Sequence, residues 1–133
     1  METELVFVYG TLKRGCKNHH VLQRFGAKFV TNAKTTEKLP MYDIGDGFPY
    51  LQDSFGKGRI VFGEIWSIPE ENVKDLDYFE GTPTLYKRMR SDCQDLGGKL
   101  YPKVNHYFKA SPLTNEQLEK VTFINEWVED TWK

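Results

Sequence analysis

The stretch Leu5-Val6-Phe7-Val8-Tyr9-Gly10 decides how the rest of the chain is read. Its apolar residues leave no polar face, as in a strand buried on both sides at the centre of a sheet. Gly10 ends the run, and the loop Thr11-Leu12-Lys13-Arg14-Gly15 follows. Working outward, residues 20–25 predict a short helix and 27–34 a second strand. Residues 39–58 are rich in glycine and proline and read mostly as turns. Residues 59–67 predict a strand, with Phe62 and Trp66 on one face and Val61 and Ile65 on the other. Pro69 suits the first turn of a helix, and Glu70 and Glu71 suit its positive end. That helix is expected to run to about Glu80, with Gly81 as its stop. Residues 86–92 and 103–109 have the length and residue types of strands. Near the end, Thr114 with Gln117 fits a capping box and Leu113 with Leu118 a hydrophobic staple. The helix expected after them carries Leu118, Val121, Ile124 and Val128 on one stripe, flanked by Trp127. Strands and helices do not alternate. The pattern predicts an α+β fold, a small, mixed, mostly antiparallel β-barrel with flanking helices.

The chain has 133 residues, which favours one domain over 1–133. Eighteen basic residues against 19 acidic ones leave a net charge of −1, so bulk positive charge offers no nucleic-acid binding. An aromatic content of 14% excludes a disordered chain. No run has the roughly 18 apolar residues of a membrane span. The first residues, Met1-Glu2-Thr3-Glu4, are acidic where an export signal would be basic. Cys16 and Cys93 are therefore expected as reduced thiols in a cytoplasmic protein.

Two places could carry chemistry. The first is the turn Tyr9-Gly10-Thr11-Leu12, where a glycine ending a buried strand permits close approach and successive amides can form an anion nest. An ordinary strand-ending turn is the alternative. Gly10 and Gly15 have P-loop spacing, but Cys16-Lys17 follows where Lys and then Ser or Thr are required. The second is Glu80. At about 100° per residue it falls in the arc of Val73, Leu76 and Phe79, while Asp75 and Tyr78 point away and Asp77 sits at the edge. A carboxylate on the core-facing side of a helix's negative end is pushed toward its neutral form, which suits a base working near neutrality. The alternative is outward fraying, or pairing with Lys87 or Arg88. Cys16, His19 and His20 make no metal site, because adjacent histidines diverge on a regular element. Lys13, Arg14, Lys17 and Arg24 read as solvated surface. Trp127 and Trp132 read as core anchors.

Val8-Tyr9-Gly10-Thr11-Leu12-Lys13-Arg14-Gly15 together with the segment Leu76-Asp77-Tyr78-Phe79-Glu80-Gly81-Thr82-Pro83-Thr84-Leu85-Tyr86-Lys87-Arg88 resembles the γ-glutamylcyclotransferase-like family, nearest its γ-glutamylamine cyclotransferase branch. Phe48-Pro49-Tyr50-Leu51 and Val61-Phe62-Gly63-Glu64-Ile65 fall between them in the family's order. The resemblance spans about residues 5–110. It implies a barrel fold, Glu80 as catalytic acid/base, and Tyr9, Gly10, Thr11 and Leu12 as the substrate loop. It also implies that a γ-glutamyl amine such as γ-glutamyl-ε-lysine closes into 5-oxoproline by attack of its own α-amine. Such a reaction needs no metal, cofactor or protein nucleophile. Tyr86 is a candidate pocket wall, with core packing equally open. Other γ-glutamyl peptides, or binding without turnover, are the competing functions. The expected partner is a small γ-glutamyl molecule, with no nucleic acid or membrane, on a monomer or weak dimer. Lys17 stands where the close branch often has Pro.

Overall fold

A computed structural model describes residues 2–129. Strand β1 spans Thr3–Val8, helix α1 His19–Arg24 and β2 Lys28–Thr35. Two short strands, β3 at Met41–Tyr42 and β4 at Tyr50–Leu51, form a separate pair. Strand β5 covers Phe62–Pro69, and a 3₁₀ turn over Glu70–Asn72 leads into α2 at Val73–Glu80. Strands β6, Tyr86–Asp95, and β7, Leu100–Lys109, precede the one-turn helix α3, Asn115–Leu118. Five strands close into a barrel in the order β1-β5-β2-β6-β7, every pair antiparallel except β1 with β7. The expected α+β barrel is therefore present. The 39–58 region carries more order than its turn residues suggest, because Met41 and Tyr42 pair with Leu51 and Tyr50.

The two faces of β1 feed two cores. Phe7 joins Ala33, Ile65, Cys93, Val104 and Phe108 from the other four barrel strands, so these side chains fill the barrel. Val6 and Val8 point the opposite way, to Val21 and Leu22 of α1, Val73 and Leu76 of α2, Trp66 and Tyr107. A strand apolar on both faces is what this double burial requires. Each fully buried Val, Leu or Phe contributes about 1.5–3 kcal/mol relative to exposure, so both layers are needed to hold β1. Helix α2 begins a turn later than expected because Glu70–Asn72 is 3₁₀, and it ends at Gly81 in the left-handed conformation, as Gly81 predicts.

The last helix is a correction. The capping box of Thr114 and Gln117 forms, but helix α3 stops at Leu118 instead of continuing past Val128. The backbone beyond it pairs outward. Ile124 N–H donates to the Met41 carbonyl at 2.9 Å, and the Asn125 carbonyl accepts from Phe62 N–H at 2.7 Å. Those bonds replace the i to i−4 ladder a helix would need. The apolar stripe is split: Val121 packs on the helix-side core, Ile124 on the barrel core, and Val128 is exposed. Trp127 lies in this extended strap, half-buried, and Trp132 lies outside the described residues.

Candidate active site

A cavity of about 180 Å³ opens where β1, α2, β6 and β7 meet the loops that follow β1 and β3. Tyr9, Gly10, Thr11 and Leu12 line one side, Glu80 and Tyr86 another, with Asn18, Phe48, Pro49, Phe79, Leu85 and Tyr107 completing the wall. All six residues singled out in the sequence thus line one cavity. Tyr86 is both wall and packing: it is buried, and its hydroxyl donates to the Pro49 carbonyl at 3.1 Å.

The turn after β1 is held from outside, which leaves its amides free. Lys13 N–H donates to the Gly10 carbonyl at 3.1 Å. Asn18 binds Thr11 twice, backbone to backbone and side chain to hydroxyl, each at 3.0 Å. His19 Nδ1 donates to the Leu12 carbonyl at 2.9 Å. Among the described residues the N–H groups of Gly10, Thr11 and Leu12 meet no acceptor. Three amides without an acceptor among the described residues thus belong to residues of one cavity wall. Gly10 is required by space. A Cβ there would lie 2.8 Å from Pro49 Cγ, so the proline ring and the turn close the cavity on each other.

The basic stretch is a correction, since only part of it is solvated. Lys13 is buried and donates to the Trp127 carbonyl. Lys17 Nζ donates to the Gly47 carbonyl and its backbone N–H to Glu129. The Arg14 amide and Nε donate to Glu64 at 3.0 and 3.2 Å, and Trp66 Nε1 donates to the same carboxylate at 3.0 Å. Arg14 also lies over the Phe29 ring. These side chains clamp the loop that carries the turn.

Glu80 sits on the last turn of α2, partly exposed and facing the cavity. Among the described residues it makes no ion pair. The partners that could have taken it are engaged elsewhere: Arg88 Nε with Asp77 at 2.8 Å, Lys87 with Asp53 at 2.9 Å. Burial, and then the nearby Asp77 carboxylate, push the Glu80 carboxyl up to about 7. Helix phase placed Val73, Leu76 and Glu80 inward correctly, but Phe79 is 42% exposed at the cavity mouth. Behind Glu80, Asp77 accepts from Tyr107 Oη at 2.7 Å, and Tyr9 donates to the Tyr107 carbonyl. Burial first, with Tyr86 and Glu80 adding negative charge, keeps the Tyr9 hydroxyl protonated well above its ordinary range.

Sequence reasoning missed Asn18, Phe48, Pro49, Leu85 and Tyr107. Phe48-Pro49 carried a signal as a phrase between the two motifs, and Leu85 as a member of the second motif; Asn18 and Tyr107 carried none.

Comparison with known proteins bears on the family and the fold. γ-Glutamylaminecyclotransferase A of Danio rerio is 36% identical over 122 residues, covering 89% of this chain and 76% of that protein. The Homo sapiens γ-glutamylaminecyclotransferase is 43% identical over 88 residues, covering 63% of this chain and 58% of its own length. The crystal structure of an AIG2-like protein from Mus musculus superposes with a TM-score of 0.86 at 30% identity, covering 96% of this chain and 90% of that one. The profile described as γ-glutamyl cyclotransferase, AIG2-like, matches residues 6–129, and the chain belongs to that family.

Proposed function

We propose that the protein is a γ-glutamylamine cyclotransferase, converting a γ-glutamyl amine such as γ-glutamyl-ε-lysine to 5-oxoproline and free amine. The observation that carries this reading is the Glu80 carboxylate, without an ion pair among the described residues, lining the same cavity as three amides that meet no acceptor there. The substrate supplies its own nucleophile, so no serine or cysteine is needed. Glu80 in its ionised form takes a proton from the α-ammonium. The neutral α-amine attacks the γ-carbonyl, a C–N bond forms, and the five-membered ring closes. Collapse breaks the γ-amide C–N bond as Glu80 gives its proton to the departing amine, and the second proton, shed by the ring nitrogen as it becomes an amide, passes through the regenerated Glu80 carboxylate to the amine, which leaves as an ammonium. A group that ionises near 7 exchanges protons in both directions at neutral pH. The amides of the 10–12 turn hold the α-carboxylate or the developing oxyanion. The cavity's walls hold the substrate folded, supplying several kcal/mol through proximity. Two free thiols, Cys16 and Cys93, fit a reducing, cytoplasmic setting.

The test is 5-oxoproline release from γ-glutamyl-ε-lysine, γ-glutamyl-alanine and glutathione by wild type and Glu80→Gln. Wild type is expected to turn over the first fastest, and the variant to lose about 10²–10⁴-fold in rate. A variant with near-normal rate removes Glu80 from the mechanism. A well-folded wild type inert toward the whole panel overturns the activity.

A further inference from the structure

We infer that Lys17 latches the loop between β3 and β4 over the cavity. It is a positioning residue, lying outside the cavity and fixing the wall that holds the substrate. The inference rests on the cyclotransferase reading above for what the cavity holds, and adds to it the side chain that closes one wall.

Little else holds this loop. Residues 43–49 run from the end of β3 to the start of β4 and carry Phe48 and Pro49, both on the cavity wall. Among the described residues their backbone makes no bond to other backbone. Two side-chain bonds stay local: Asp43 accepts from Gly45 N–H at 2.8 Å, and Asp46 from Tyr50 Oη at 2.6 Å. Two bonds cross to distant parts of the chain. Tyr86 Oη donates to the Pro49 carbonyl at the foot of the loop, and Lys17 Nζ donates to the Gly47 carbonyl near its tip. The contact at the tip is close, since a Cβ on Gly47 would lie 3.0 Å from Lys17 Nζ. Phe48 sits between these two ties, so its place on the wall depends on both.

The footing of the latch shows what the loop is tied to. Lys17 N–H donates to Glu129 at 2.7 Å, the other oxygen of that carboxylate accepts from Trp127 Nε1 at 3.1 Å, and the Trp127 carbonyl accepts from the Lys13 ammonium. The next residue, Asn18, holds Thr11 by two bonds. Lys17 therefore stands on the segment that braces the Tyr9-Gly10-Thr11-Leu12 turn. It fixes the loop relative to that turn, and the same two pieces meet again where the Pro49 ring lies against Gly10. Turn and loop both line the cavity. A bond made outside the cavity thus sets how closely its walls approach. A hydrogen bond of this kind shifts the balance between a closed and an open loop by about three- to tenfold.

The experiment compares wild type with Lys17→Met, which keeps the stem and the backbone N–H but loses the ammonium, and with Lys17→Arg, which keeps a donor. Backbone amide relaxation by NMR reads the loop directly. Order parameters over residues 44–48 are expected near about 0.85 in wild type and to fall toward about 0.6 in Lys17→Met. With γ-glutamyl-ε-lysine as substrate, KM in Lys17→Met rises about three- to tenfold, while kcat and the acid limb of the pH profile stay as in wild type. Lys17→Arg recovers most of the loss. The Lys17 side chain is exposed, so urea melts of the three proteins are expected to coincide. Equal order parameters in wild type and Lys17→Met, or a loosened loop with KM unchanged, overturns the latch while the activity stands. A loss carried by kcat alone, or one matched by a lower urea midpoint, overturns it too. If wild type releases no 5-oxoproline, the cyclotransferase reading falls, and the order parameters alone decide whether Lys17 holds the loop.

Discussion

Replacing Glu80 by glutamine should stop the chemistry and strengthen the fold, and the two effects have one cause. A carboxyl that ionises near 7 in the folded protein and near 4.5 in the unfolded chain is bound to its proton more tightly when folded. Below 4.5 both states hold the proton, and Glu80 adds no pH dependence. Between 4.5 and about 7 the unfolded chain releases it while the native state keeps it, so stability falls as pH rises. Above about 7 both are ionised and the loss is complete. At about 1.4 kcal/mol per pH unit, that loss is roughly 3 kcal/mol at most, because Glu80 is partly exposed. Glutamine cannot ionise, so the variant lacks this slope. Urea melts at pH 5, 6, 7 and 8 give the difference directly. The expected result is near equality at pH 5 and a variant more stable by about 2–3 kcal/mol at pH 8. A variant no more stable than wild type at pH 8, or one whose difference from wild type does not change with pH, would refute the assignment of a desolvated carboxyl with a raised pKa to Glu80.

Three further perturbations test the surroundings. Asp77→Asn removes the negative neighbour that raises Glu80 and leaves the Arg88 charge uncompensated, so the acid limb of the kcat/KM profile should move to lower pH; a limb that stays or moves up contradicts the coupling. Gly10→Ala drives a methyl into the Pro49 ring, so kcat/KM for γ-glutamyl-ε-lysine should fall about tenfold or more with a stability loss of about 1–3 kcal/mol; unchanged kinetics would mean that this contact does not shape the cavity. Glu64→Ala leaves the Arg14 amide, Arg14 Nε and Trp66 Nε1 without their acceptor, and urea melts should show a loss of about 3 kcal/mol.

What could be read from the chain depended on whether the partners of a segment lay nearby in sequence. Val6 to Tyr9 announced burial on both faces because alternation and apolarity are local properties, and both faces are buried. Glu80 was legible because helix phase alone turns it toward Val73 and Leu76. The segment after Leu118 misled for the converse reason. Its stripe has helical spacing, yet its backbone partners are Met41 and Phe62, remote in the chain, and their bonds decide its conformation. Tyr107 and Asn18 were illegible for a related cause. Tyr107 reaches the cavity only because β7 runs beside β1, a parallel pairing no local pattern encodes. Asn18 matters through two bonds to Thr11 in an irregular loop.

The isolation of Glu80 follows from how the neighbouring charges are paired. Asp77 holds Arg88 and Tyr107, Asp53 holds Lys87, Glu64 holds Arg14, and Glu4 holds Arg90. Had Arg88 paired with Glu80, the opposite charge would have pulled its carboxyl down into a permanent anion. Such a group would accept a proton from an ammonium near neutral pH, and hold it for a leaving amine, far less readily. Asp77, three residues earlier on α2, takes that arginine instead. It removes the counter-ion from Glu80 and adds repulsion of its own, and both act in the same direction on the proton. The ordinary ion pair between Asp77 and Arg88 is thus what keeps the neighbouring carboxyl able to exchange protons, which is why substitution at Asp77 should register in the pH profile before it registers in the fold.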